Sequence, residues 1–218
     1  GEERFAEAGM GAFAYERAWF DREAGGWPDL RELDWSRLHL GQRPPYPPYW
    51  CHGAPGIGLA RLRAWTLTGD SLALAEAAAA VDTATASAFR AAGEPADLSL
   101  CHGAGSVIEL HLVAAEVTGD PEHLAVARRL ADLALAAAGL RGPNAQPGLR
   151  GPNAQPDLRG PNAQPAPVPC GVPGGGETPG LLLGLAGVAA TLLRLADPSA
   201  LPSPLLVAAW DGPYSRRR

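Results

Sequence analysis

Two cysteines and a histidine carry the strongest chemical signal in the chain. Cys51-His52-Gly53-Ala54 and Cys101-His102-Gly103-Ala104 are the same tetrapeptide, fifty residues apart. In each copy the Cys stands just before a Gly-rich helix start, where unpaired backbone N–H groups and the helix dipole favour a thiolate. Two sulfurs and one imidazole form a donor set suited to Zn²⁺, and three protein ligands leave a fourth position open, as in catalytic sites. Residue types alone leave alternatives. Free cysteines are often small buried hydrophobes, and His52 has the same adjacency to Cys51 that His102 has to Cys101, so composition does not say which imidazole ligates.

The elements that must position these groups also repeat. Thr68-Gly69-Asp70 recurs fifty residues on as Thr118-Gly119-Asp120, and a weaker third copy begins at Gly184-Leu185-Ala186-Gly187 and ends near Asp197-Pro198. A period of this length signals stacked helical units. Each unit reads as a hairpin: a Gly-rich entry, an apolar inner helix such as Ile57 to Thr68, a short turn, and an Ala-rich outer helix such as Ser71 to Ala92. Asp70 and Asp120 are placed to cap the outer helices, and Pro121 suits a first helical turn. An earlier outer-type helix is expected over Arg4 to Phe20. A ring of hairpins would bring Cys51 and Cys101 to one rim.

Composition agrees with an all-α fold. Ala, Leu and Arg are abundant, β-branched and aromatic residues scarce, which favours helix. A formal charge of −5 argues against nucleic acid as partner, the Arg216-Arg217-Arg218 tail being read as a solvated end. No run of eighteen apolar residues suggests a transmembrane segment and no signal peptide is evident, so a cytoplasmic location is expected, where three cysteines serve metal or chemistry better than disulfides. Residues 140–166 hold a nine-residue tandem, Leu-Arg-Gly-Pro-Asn-Ala-Gln-Pro followed by Gly, Asp or Ala. Its prolines forbid helix and central strand, which makes it an expected surface loop.

Trp50-Cys51-His52-Gly53-Ala54-Pro55-Gly56, Leu100-Cys101-His102-Gly103, and Cys170-Gly171-Val172-Pro173 leading to Glu177-Thr178-Pro179-Gly180 resemble, in order, the motifs of LanC-type lanthipeptide cyclases. Tyr15-Glu16-Arg17, Phe20-Asp21 and Gly26-Trp27-Pro28-Asp29-Leu30-Arg31 resemble the same domain in bifunctional class II synthetases. The resemblance implies an α/α toroid, here a partial ring of about three inner/outer helix pairs, with residues 1–218 as the C-terminal portion of a cyclase domain. It implies zinc held by Cys51, Cys101 and His102, with His52 a non-ligand.

The implied chemistry is Michael-type addition of a peptide Cys thiolate to dehydroalanine or dehydrobutyrine, giving lanthionine or methyllanthionine. The implied partner is a dehydrated precursor peptide, with a dehydratase domain upstream in the parent protein. The family's acid/base His and Asp belong to helices upstream of the first zinc Cys and are expected to be missing. His52 and His111 are the remaining weak candidates for catalysis; His111 is more simply a packing residue, and His39 and His123 surface residues.

The resemblance does not make Cys170 a ligand. Glu109 and Glu177 read as helix-end or supporting contacts, and Asp29 and Arg31 as a structural ion pair. Ser106 and Val107 depart from the Gly and Asn usual at those places. A non-catalytic, zinc-containing peptide-binding toroid or inactive fragment is the alternative of a different class. Zinc-dependent thiol alkylation as in protein prenyltransferases is a further enzyme reading, disfavoured because no Asp precedes a Cys at suitable spacing.

Overall fold

The structure, a computed structural model, describes residues 3–31, 41, 43–90, 97–140, 168–199 and 201–206. Six helices occur among the described residues: α1 (Glu3–Ala18), α2 (Ala54–Thr68), α3 (Ser71–Arg90), α4 (Ala104–Thr118), α5 (Pro121–Ala137) and α6 (Leu185–Ala196). No strand occurs among those residues, only isolated bridges at Asp21–Gly26 and Pro48–Gly53. The fold is therefore all-α. The tandem beyond Leu140, His39 and the arginine tail lie outside the described residues.

The two complete hairpins are α2 with α3 and α4 with α5, and the inner helices α2, α4 and α6 lie side by side in that order. This arrangement is consistent with the partial ring that the resemblance implied. Its turns are copied as expected. Gly69 and Gly119 end α2 and α4 in the left-handed region, at φ 71° and 73°, a conformation that costs glycine little. The Asp70 and Asp120 carboxylates accept the amides of Leu72 and Glu122 at 3.0 and 2.9 Å, capping otherwise unpaired first-turn donors.

Two helix limits differ from expectation. α2 starts at Ala54, not Ile57, because Pro55 sits in the first turn, where its missing N–H costs nothing. α1 stops at Ala18, and the residues that follow turn back so that the Trp27 indole donates to Glu16 O at 3.0 Å.

The core is centred on α4, in which every residue from Gly105 to Ala114 is buried. Flanked by α2, α3, α5 and α6, this stretch has no solvent face to polarise, so it lacks amphipathic period. Leu110 and Leu112 are fully buried, each stabilising the fold by ~1.5–3 kcal/mol. α3 has the length and composition of a membrane-crossing helix. Its Ala73-Ala77-Ala80-Ala84 stripe is nonetheless buried in the bundle, and its Glu76 binds Arg61 at 2.6 Å.

Buried charge is paired across elements. Arg61 of α2 reaches Glu76 of α3 and Glu16 of α1 at 2.9 Å, with Phe13 stacked on its guanidinium. Arg194 of α6 lies 3.1 Å from the Glu109 carboxylate and 2.6 Å from Glu116, both on α4. These pairs tie neighbouring helices together, since a charge taken out of water needs a partner close by.

Candidate metal centre

Each inner helix is entered through a loop that doubles back on itself. A Cβ added at Gly53 would stand 2.1 Å from Pro47 O, and one at Gly103 would stand 2.4 Å from Asp97 O. Real Cβ atoms do not approach a carbonyl so closely, so the six-residue fold-back requires glycine at that point. The residue two places earlier is thereby held at the rim, and in the first two repeats that residue is Cys51 or Cys101.

The loops are joined through their backbones. Trp50 N donates to Cys101 O at 2.8 Å, and Cys101 N donates to Leu182 O at 2.9 Å. Leu182 occupies in the third repeat the place of the two cysteines, counted from Gly184. The third copy thus supplies backbone to the rim and no sulfur.

Cys51 is exposed and Cys101 partly buried, both as free thiols. The Cys101 thiol is pushed up to about 12, first by burial, then by its hydrogen bond with Cys51 and by the negative charge of Cys51 and Asp97. Thiols in such a place ionise only when positive charge is brought to them.

The two imidazoles beside the sulfurs are held differently. His102 Nδ1 is 2.8 Å from Asp97 Oδ2. A carboxylate only accepts, so Nδ1 carries hydrogen, and in the neutral ring Nε2 has the lone pair. Asp97 is fixed in turn, accepting from the Ser99 amide at 2.7 Å and the Ser99 hydroxyl at 3.0 Å. His52, by contrast, has both nitrogens engaged, Nδ1 with Cys51 Sγ at 2.9 Å and Nε2 with the Arg31 guanidinium at 2.6 Å. Burial and then the Arg31 charge lower its pKa. Arg31 is forked onto Asp29 at 3.0 and 2.8 Å, and this hydrogen bonding holds Asp29 down to about 2. The Tyr49 ring packs on both imidazoles, 5.2 Å from His52 and 5.6 Å from His102.

Two free sulfurs, one imidazole nitrogen with its lone pair and a carboxylate behind that imidazole are donors of the kind zinc takes. They fit the metal by chemical type. Among the described residues, however, no three His, Cys, Asp or Glu side chains are gathered as a ready-made cage. As the side chains stand, Cys51 is engaged by His52 and Cys101 by Cys51.

A cavity of about 680 Å³ opens beside Cys51 and His52, walled by Trp27, Trp50 and Ile57. Another of about 700 Å³ lies behind Asp97 and His102, bordered by the buried Cys170.

Residues 1–149 match the family model described as lanthionine synthetase C-like protein. The chain belongs to the lanthionine synthetase C-like family. No curated protein matches the sequence. The matched stretch holds Cys51, Cys101 and His102 and ends before Cys170 and Glu177, so the family assignment rests on the first two repeats. Proteins of this lanthionine synthetase C-like kind are thioether-forming cyclases built as α/α toroids, and the hairpins α2–α3 and α4–α5 have that form.

Other residues singled out in the sequence fall as follows. His111 does not border the cavity at Cys51. It is buried on α4, with Nε2 2.8 Å from the Thr85 hydroxyl and Nδ1 3.2 Å from His123 Nδ1. His123, expected at the surface, is half-buried by that contact. Glu109 pairs with Arg194, and the Glu177 carboxylate accepts the Val168 amide at 2.9 Å. Ser106 donates to Gly103 O at 2.8 Å within the loop-helix junction. Val107 is packed in the core, where no amide partner is needed.

Two site residues went unnoticed in the sequence, Asp97 and Tyr49. Asp97-Leu98-Ser99 has the Asp-x-Ser spacing of an Asx turn, which was the available signal.

Proposed function

We propose that the chain is a zinc-dependent lanthipeptide cyclase that closes thioether rings in a dehydrated precursor peptide. Cys51, Cys101 and His102 would hold the metal, His102 through Nε2. The single observation carrying this assignment is the contrast between the imidazoles: Asp97 takes the Nδ1 hydrogen of His102 and leaves Nε2 a donor, while both nitrogens of His52 are engaged. When bound, zinc lowers the pKa of a thiol so that a peptide cysteine is nucleophilic at neutral pH.

The protein's own part is to orient the peptide. The cavity beside Cys51 combines aromatic and aliphatic walls with the charged pair Asp29 and Arg31, a lining that suits a peptide segment. In the addition, the peptide sulfur bonds to the β-carbon of dehydroalanine or dehydrobutyrine, the C=C bond becomes single, and a proton is delivered to the α-carbon. His111 is too committed to Thr85 and His123 to serve as that donor. The substrate's alkenes must come from a dehydration of Ser and Thr, so a dehydratase acts before this protein. A reducing, cytoplasmic setting suits unpaired thiols at the rim.

The test is metal analysis joined to a reaction. Purified protein is expected to contain one zinc, and incubation with a dehydrated Cys-containing peptide is expected to remove alkylatable thiols by mass spectrometry. Cys51→Ala and Cys101→Ala should lose both. Stoichiometric zinc with no thiol consumed would instead identify a peptide-binding toroid without cyclase activity.

A further inference from the structure

The ion pair Asp29–Arg31 does more than brace its loop. Arg31 has two hydrogens on its NH2 nitrogen and accepts none. One faces Asp29 Oδ2 at 2.8 Å, and the other faces His52 Nε2 at 2.6 Å. The guanidinium Nε donates to Asp29 Oδ1 at 3.0 Å, so both prongs of the fork are engaged and aim the guanidinium at the ring. Nε2 of His52 is also 3.5 Å from Asp29 Oδ2, but that oxygen is already engaged by Arg31 and the guanidinium is much nearer, so Nε2 is the acceptor. The hydrogen of the neutral ring therefore sits on Nδ1, and Nδ1 lies 2.9 Å from Cys51 Sγ. The edge of Tyr49 against the ring, at an interplanar angle of 85°, limits its rotation.

We propose that Arg31, anchored by Asp29, is a positioning residue that locks His52 in its Nδ1–H tautomer, making the ring a fixed N–H donor to the sulfur of Cys51. The role deepens the cyclase reading, since it matters most if Cys51 is a metal ligand. An N–H pointed at a thiolate withdraws charge from it, as hydrogen bonds to sulfur do in other metal–thiolate sites. The two histidines of the repeated Cys-His pair then have complementary duties. His102 presents a lone pair, and His52 presents a hydrogen. The chemical difference between identical dipeptides comes from the group at hydrogen-bond distance behind each ring, the Asp97 carboxylate at 2.8 Å for His102 and the Arg31 guanidinium at 2.6 Å for His52, with the Asp29 carboxylate farther off at 3.5 Å.

The tautomer can be read in the metal-free full chain by long-range ¹H–¹⁵N correlation above pH 8, with the His52 signals identified by their loss in His52→Gln. The expected result is a pyrrole-type Nδ1 and a pyridine-type Nε2. Arg31→Met should shift the ring toward the Nε2–H form that free histidine prefers, and Asp29→Asn, which loosens the fork, should give a mixture. Circular dichroism reports whether each variant is folded. A wild-type ring with hydrogen on Nε2 overturns the proposal without any variant, and so does an unchanged Nδ1–H form in folded Arg31→Met. With cobalt as probe, Arg31→Met should move the sulfur-to-metal charge-transfer band to lower energy; an unmoved band in folded protein also overturns it. Absence of any cobalt–sulfur band in wild type, together with Nδ1–H at His52, sinks the metal assignment and leaves the tautomer lock standing.

Discussion

The amide of Trp50 is bonded to the carbonyl of Cys101 at 2.8 Å, so the two cysteine loops are joined through their backbones before either side chain takes part. Side-chain variants at the rim can therefore alter donors without dismantling the frame. That separation makes the following outcomes measurable one at a time.

Asp97→Asn should weaken zinc binding by roughly 10- to 100-fold while the protein stays folded, the usual cost of losing the partner behind a ligating imidazole. Asn can turn its amide N–H toward Nδ1 and no longer selects the tautomer that frees Nε2. Competition against a chromophoric chelator gives the affinity directly.

Glycine substitutions should separate by location. Gly103→Ala puts a methyl 2.4 Å from Asp97 O and is expected to cost at least about 1–3 kcal/mol, because the loop must open to admit it. Gly9→Ala meets nothing within 4 Å on the exposed helix α1 and should stabilise by about 0.5–1 kcal/mol through backbone entropy. Chemical denaturation of both variants reads the difference.

Arg194→Met leaves Glu109 fully buried in α4 without its counter-charge. A loss of roughly 3–5 kcal/mol is expected, with much of it recovered in the double variant Arg194→Met/Glu109→Leu, since two apolar groups need no pairing. A double-mutant cycle in thermal unfolding tests this, and additive losses would contradict it.

Burial, with His123 adding to it, brings His111 down to about 4 from the ordinary 6.5. Between those values the unfolded chain binds the extra proton and the folded one does not. The neutral-ring contribution is thus complete above about pH 6.5 and is lost as pH falls toward 4, by about 3 kcal/mol in total. The facing groups are Thr85 on α3 and His123 on α5. Unfolding free energies of wild type and His111→Gln across that window should converge toward the acid end.

Much of this arrangement was legible in the chain. The fifty-residue recurrence of Cys-His-Gly-Ala and Thr-Gly-Asp located both hairpins and both caps, because each motif is a local solution to ending or starting a helix. It also set Cys51 and Cys101 on one rim. The partners of their histidines were not legible. Nothing in the spacing brings Arg31 to His52 across 21 residues, or His111 of α4 to Thr85 of α3 across 26, since those contacts exist only once the loops and hairpins pack. Asp97 was nearer to hand, five residues before His102, but its carboxylate reads equally well as a local turn former. The expected start of α2, Ile57, differs by three residues from the observed Ala54, because the Gly-rich entry Ala54-Pro55-Gly56 is itself the first turn of the helix.

The entry loop of the third repeat has the same fold-back, with a Cβ at Gly184 lying 2.1 Å from Thr178 O, yet bears Leu182 at the rim position. Architecture and reactivity are thus written in different letters of one module. Within this chain one position in each copy, filled by Cys51, Cys101 or Leu182, decides whether that copy brings sulfur or only structural support.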